Sequence, residues 1–262
     1  LESNMNPDVK SWLAFARQKL EEIAYLTQMT NKGLDLIHFE NLELSKEINE
    51  RSNSPLLHNL SVKSRFEGIN TQTLMRKSDF KIRRRIQQDK YNFPPLPTTT
   101  IGSFPQTDLV RKNRNLFLQG QITKKEYEES IRHEIKHTIK FQEEIGLDIL
   151  VHGEFERNDM VQFFAEQLSG FAFTEHGWVQ SFGSRFVRPP IIYGDVSRPL
   201  KMSVDWSTYA QSLTKKPVKG MLTGPVTILN WSFVRDDQPR SETCRQIALA
   251  IQDEVLDLEK AG

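Results

Sequence analysis

Apolar side chains recur at helical spacing over residues 6–29: Trp12, Leu13, Phe15, Ala16, Leu20, Ile23, Ala24 and Leu26 form one broad face. The pattern predicts a single amphipathic helix. Asn6 suits its cap, and Pro7 suits its first position, where the missing N–H has no helical partner anyway. So broad a face calls for a partner surface, and the next stretch offers little of one. From Asn31 to Asn92 the chain is polar with few apolar clusters. The last part, Arg76 to Lys90, holds Arg83-Arg84-Arg85 and reads as a charged, solvated helix.

The Pro-rich stretch Phe93-Pro94-Pro95-Leu96-Pro97 marks a boundary, and the pattern then changes. Thr98 to Phe104 is β-branched and turns sharply at Gly102, as at the end of a strand. A long helical region follows, with Thr123 and Glu126 as a capping box and Gly146 as a stop. Leu147 to His152 is a short apolar strand running into Gly153-Glu154. Asn158 or Asp159 then caps a helix expected to end near Gly170. Phe171 to Tyr193, aromatic and β-branched with internal glycines, predicts a hairpin excursion. A helix around Trp206–Leu213 leads to a third strand, Val218 to Thr223, ended by Gly224-Pro225, and a last helix spans Ser241 to Lys260.

Strand, turn and helix in repetition predict an α/β fold with parallel strands buried on both faces beneath helices. The residues that follow each strand are Gly102-Ser103, Gly153-Glu154 and Gly224-Pro225. That edge is where βα folds bind ligands. Three strands are too few for a closed barrel, which needs eight and about 250 residues. The pattern therefore describes an incomplete barrel, an open sheet or a fragment.

Charge and composition narrow the function. In 262 residues, 35 Lys and Arg nearly balance 34 Asp and Glu, for a net charge of +1. A general polyanion binder needs an excess of cations, so the Arg83–Arg85 run is read as part of a linker helix and no nucleic-acid partner is expected. A single cysteine, Cys244, allows no intrachain disulfide and points to a reduced, cytoplasmic setting. No apolar run approaches the ~18 residues of a membrane span. The chain does not open with Met, as expected of a processed chain or a piece of a longer one.

Several residues could carry chemistry. His133-Glu134-Ile135-Lys136-His137 has the HExxH form of zinc metalloproteases. The apolar stripe of that helix runs through Ile131, Ile135, Ile139 and Ile145, which puts both histidines on the opposite, wet face. No further His follows at the spacing a third ligand needs. His38, His58 and His176 lack ligand spacing, and Cys244 reads as an idle helix thiol. His152, at a strand end, is open to a site role or a structural one. Glu154 is more telling: a carboxylate directly after a strand and a glycine is well placed to hold an ammonium group, with Glu156, Arg157 and Asp159 in the same loop. Trp231, after the third strand, could stack on a flat heterocycle, although core packing is the better reading of the residue alone.

Taken together and in order, Leu96–Thr107, Leu150–Met160, Gly177–Arg185 and Pro217–Ile228 closely resemble the cobalamin-independent methionine synthases. The resemblance covers essentially the whole chain. It implies a fold of the (βα)8 TIM-barrel family, here an incomplete C-terminal barrel preceded by a helical linker region. Residues 1–92 would be the end of an N-terminal barrel and the inter-domain linker, and residues 93–262 the first part of the catalytic barrel. The implied activity is methyl transfer from 5-methyltetrahydropteroyltri-L-glutamate to L-homocysteine, with zinc as cofactor to activate the thiol. Ile101, Gly102, Ser103 and Glu154 match the positions that receive the amino-acid end of homocysteine. Arg185, Phe186 and Trp231 match folate-contacting positions. The family's zinc ligands and its acid lie later in the barrel than this chain reaches, so neither a metal ligand nor a catalytic residue is assigned here. The remainder of the same protein is the expected macromolecular partner. Two other readings stand beside this one: a non-catalytic fragment holding part of a ligand site, and the HExxH metalloprotease.

Overall fold

The strand-end motifs sit on three extended segments, residues 98–103, 148–153 and 217–221. A computed structural model describes residues 2–32, 48–181, 183 and 186–262 of the chain. It divides into two compact units that alternate along the sequence. One draws on residues 1–67, 168–197 and 225–248, the other on 68–167, 198–224 and 249–262.

The second unit carries the extended segments. They run parallel, with 148–153 in the middle, joined by bridges between Ser103 and Gly153 and between Leu150 and Val218. The expected strands thus meet at isolated bridges instead of continuous ladders. Side chains satisfy part of the backbone in place of a strand partner. Gln142 donates to the Val151 carbonyl at 2.7 Å and accepts from its N–H at 2.9 Å. Gln211 accepts from the Val218 N–H at 2.9 Å, and Lys219 donates to the Thr100 carbonyl at 2.7 Å. Burial on both faces holds for the middle segment, where Leu150, Val151 and His152 are buried. Apart from Gly102, which is buried, the outer two are half-buried or exposed, because each has a neighbour on one side only among the described residues.

The helix Lys124–Glu144 packs on the middle segment. Thr123 and Glu126 form the expected capping box, and Gly146, at φ +83°, follows the helix end. Its stripe Ile131, Ile135 and Ile139 is buried against Val110, Leu150, Phe155 and Ala210. The stripe ends there, since Ile145 is exposed. Asp159 caps the helix Met160–Ala165 through the N–H groups of Val161 and Gln162. That helix stops well before Gly170, because Ser169–Ala172 is drawn into strand pairing. Glu254, on the long helix Arg240–Ala261, is fully buried and accepts from Met202 N–H, Ser203 N–H and Ser203 Oγ before the helix Val204–Ser212. The charged helix Phe80–Tyr91 buries none of its residues, as its composition predicts.

In the first unit, the single helix expected over 6–29 is two. Asn6 caps Pro7–Ser11 as read from sequence, but the chain leaves the helix after Trp12, and a second helix spans Ala16–Lys32. Tertiary packing overrides the local pattern at the break: the Trp12 ring lies against Tyr193, 6.3 Å between centroids. Leu20, Ile23 and Leu26 on the second helix are exposed. The hairpin excursion is present as two antiparallel pairs, Ser169–Ala172 with Ile191–Ser197 and, between them, Val179–Gln180 with Phe186–Val187. Gly170 is required at the outer pair: its φ is +85° and a Cβ would lie 2.6 Å from the Asp195 carbonyl oxygen. Asp195 centres a buried polar knot, accepting from Arg235 at 2.9 Å, Gln246 at 3.0 Å and the Asn59 N–H at 2.8 Å. Among the described residues no helix is long and apolar enough to cross a membrane.

Candidate active site

Gly153 and Glu154 end the middle segment with consecutive left-handed residues, φ +96° and +60°. Glycine takes that conformation freely, but glutamate adopts it at a cost and keeps it only where its surroundings fix it. Here the surroundings are substantial. Arg114, on the helix Asp108–Leu118, donates to the carbonyls of Phe155 at 2.7 Å and Arg157 at 3.1 Å. Gln106 donates to the carbonyls of Glu154 and Arg157.

The turn folds the Glu154 side chain back across the end of the first segment. Glu154 Oε1 and the Met221 side chain, its Cε at 2.6 Å, occupy the space a Cβ on Gly102 would need. Gly102 is therefore glycine because the second and third segments have filled its side-chain volume. The neighbouring bridge sets Ser103 beside Gly153. The structure thus brings together Gly102, Ser103 and Glu154, with Ile101 beside them on the chain. Ile101 is 88% exposed, and Ser103 is exposed too, so this edge is open.

Arg157 lies beneath this edge, its side chain 4% exposed against 12% for Glu154. It donates from Nη1 to Glu154 Oε2 at 3.3 Å, from Nε to Glu156 Oε1 at 2.8 Å and from Nη2 to the Met221 carbonyl at 2.9 Å. Its guanidinium also stands 4.9 and 5.0 Å from the Phe163 and Phe164 ring centres. Glu156 Oε1 is shared with His152 Nε2 at 3.0 Å. Burial by itself would raise the Glu156 pKa, but the His152 imidazole and the Arg157 guanidinium outweigh it and hold that carboxyl down to about 2. Glu154 Oε1 has no hydrogen-bond donor among the described residues and lies over Gly102, between exposed Ile101 and Ser103 in the chain. Chemically, that is an anionic oxygen, backed by a fixed cation, at the mouth of a parallel sheet. It suits an ammonium group.

Of the folate-matching positions, Arg185 lies outside the described residues. Phe186 and Trp231 belong to the first unit and are 57% and 43% exposed. Trp231 is therefore no core residue, which corrects the reading of that position taken alone. Ile228 and Leu229 fill the buried side of the helix Pro225–Asn230 and leave the indole outside.

The remaining candidates separate cleanly. His133 and His137 are exposed, opposite the buried isoleucines, and Glu134 stands 3.8 Å from His133. His58 bridges Ser52 and Lys63, and His176 is exposed beside Glu175; His38 lies outside the described residues. Cys244 is a half-buried free thiol, its pKa raised by burial despite nearby Arg240. Among the described residues no three His, Cys, Asp or Glu side chains gather as a metal-holding group. Sequence reasoning left His152 open and noted Glu156 and Arg157 in the Glu154 loop, but missed the pairing that links the three to Glu154. The available signal was a cluster of charges directly after a buried strand.

Residues 96–262 match the family described as the catalytic domain of cobalamin-independent synthases. Two curated relatives, from Mesorhizobium japonicum and Nitrobacter winogradskyi, are 59% and 56% identical over 100% of this chain. Both are named 5-methyltetrahydropteroyltriglutamate–homocysteine methyltransferase, and the chain spans 34% of the length of each. A solved B12-independent methionine synthase from Shewanella sp. W3-18-1, in complex with selenomethionine, aligns with 64% of this chain and 49% of its own at TM-score 0.54 and 24% identity. That likeness carries the TIM-barrel family fold, as expected from the sequence. The chain belongs to the cobalamin-independent methionine synthase family.

Proposed function

We propose that this chain is the substrate-holding part of a methyltransferase that moves a methyl group from 5-methyltetrahydropteroyltri-L-glutamate to L-homocysteine. The observation that carries the reading is the Glu154 carboxylate, folded over Gly102 with Oε1 free at the open strand edge. In this reading Oε1 pairs the homocysteine ammonium, and the Ser103 hydroxyl with nearby backbone N–H groups takes its carboxylate. Phe186 and Trp231, with Arg185, take the pterin and its glutamates through ring stacking and charge. Both amino-acid contacts are remote from the sulfur, so these residues bind and orient instead of making or breaking bonds.

Residues 93–262 would be the first part of the catalytic barrel, and 1–92 the end of an N-terminal barrel and its linker. The start of the family match at residue 96 supports that division. The zinc implied by the resemblance finds no ligand set among the described residues. Its ligands are proposed to lie in the part of the relatives' length that this chain does not span. A cytoplasmic location fits a chain with one cysteine.

The test is Glu154→Gln in the full-length protein carrying this segment. Homocysteine binding should weaken by about 1–3 kcal/mol, as for a lost charged hydrogen bond. Unchanged homocysteine affinity would overturn the reading.

A further inference from the structure

Arg157 is a positioning residue, we propose, that sets the selectivity of this edge for an α-ammonium group by fixing the Glu154 carboxylate; this rests on Glu154 binding that group. Three donors of one buried guanidinium reach three acceptors from different places: the Glu154 carboxylate, the Glu156 carboxylate and the Met221 carbonyl at the end of the third segment. A planar fork can hold all three at once, whereas a lysine ammonium is a single point of attachment on a flexible stem. Phe163 and Phe164 flank the same group and further restrict it.

The division of labour follows from charge and geometry. Arg157 occupies Glu154 Oε2 and so leaves Oε1 as the carboxylate's outward oxygen, over Gly102. Glu156, held in turn by His152, offsets the buried cation, so that Glu154 is not needed to neutralise it. Glu154 thus keeps its attraction for a ligand cation while losing its rotational freedom. Without the fork, the side chain of a residue in a strained left-handed turn would sample other rotamers, and the ammonium would have to order it on binding.

The experiment uses Arg157→Lys in the full-length protein, alone and combined with Glu154→Gln. For Arg157→Lys, the homocysteine KM should rise about tenfold. The kcat and the methylfolate KM should stay within about twofold, because the ammonium contact is made alike in ground and transition states. The Ki of 4-mercaptobutanoate, which lacks only the amino group, should not change. A merely structural role would raise this Ki along with the homocysteine KM. The double variant should bind homocysteine no more weakly than Glu154→Gln alone, since Arg157 acts through Glu154. If Glu154→Gln weakens homocysteine while Arg157→Lys does not, or if the two losses add, the proposal for Arg157 is overturned and the ammonium site stands. If Glu154→Gln has no effect, the site itself is wrong and the proposal falls with it. Should Arg157→Lys fail to fold, Glu156→Gln decides: it removes the charge that secures the fork and should raise the homocysteine KM severalfold with the same unchanged Ki, and an unaltered KM overturns the proposal.

Discussion

Glu154 reaches the open edge through a backbone conformation that glutamate disfavours, and the room for it exists because residue 102 has no side chain. Gly102→Ala should therefore displace the carboxylate or Met221. Homocysteine binding in the full-length protein should fall at least tenfold, read by calorimetry, and the thermal midpoint should drop. Glu156 predicts a pH effect with a definite sign. Its folded pKa, about 2, lies below the ordinary 4.5, so its pairing stabilises the fold above pH 4.5 and is lost as pH falls toward 2. The urea midpoint should decline across that window, with a shallower decline in Glu156→Gln. The placement of Glu154 at the end of the middle segment, against Gly102, was legible in the sequence because a carboxylate directly after a strand and a glycine falls at the strand's end. Arg157 was not, because one of its acceptors, the Met221 carbonyl, lies 64 residues away and only folding brings them together.

Helix ends were the most legible elements, since a cap is a contact between residues a few positions apart. Asn6, Thr123 with Glu126, and Asp159 all cap where the sequence places them. Thr123→Ala removes the hydroxyl that accepts the Glu126 N–H and should cost about 1 kcal/mol in urea unfolding. On the same helix His133 and His137 face away from the buried stripe. Changing both to alanine should leave stability within about 0.5 kcal/mol and methyl transfer by the full-length protein intact. Loss of bound zinc on that change alone would restore the metalloprotease reading. Longer-range features were less legible. Nothing local in Trp12 to Phe15 announces a break, and the Trp12 ring meets Tyr193, a partner far along the chain. The parallel ladders expected from β-branched runs are partly replaced by glutamine side chains from helices, which no strand pattern encodes.

At the level of the molecule, family membership was legible because four motifs fall in order. One cysteine and no gathered trio of ligating side chains among the described residues predict that the 262-residue chain alone forms no methionine from homocysteine and methylfolate, even with added zinc. Mass-verified protein assayed for methionine checks this, and turnover above the blank refutes it. The alternation of the two units has a consequence of another kind. The chain crosses between them five times, the last crossing lying within the helix Arg240–Ala261. During vectorial synthesis the segments of the first unit are not all available until residues near 248 have left the ribosome, by which time residues 68–167 and 198–224 of the other unit have already emerged. Neither unit can be obtained as one uninterrupted stretch of gene. A protease that nicks any crossing leaves pieces of both, so limited digestion should yield associated fragments that separate only in denaturant.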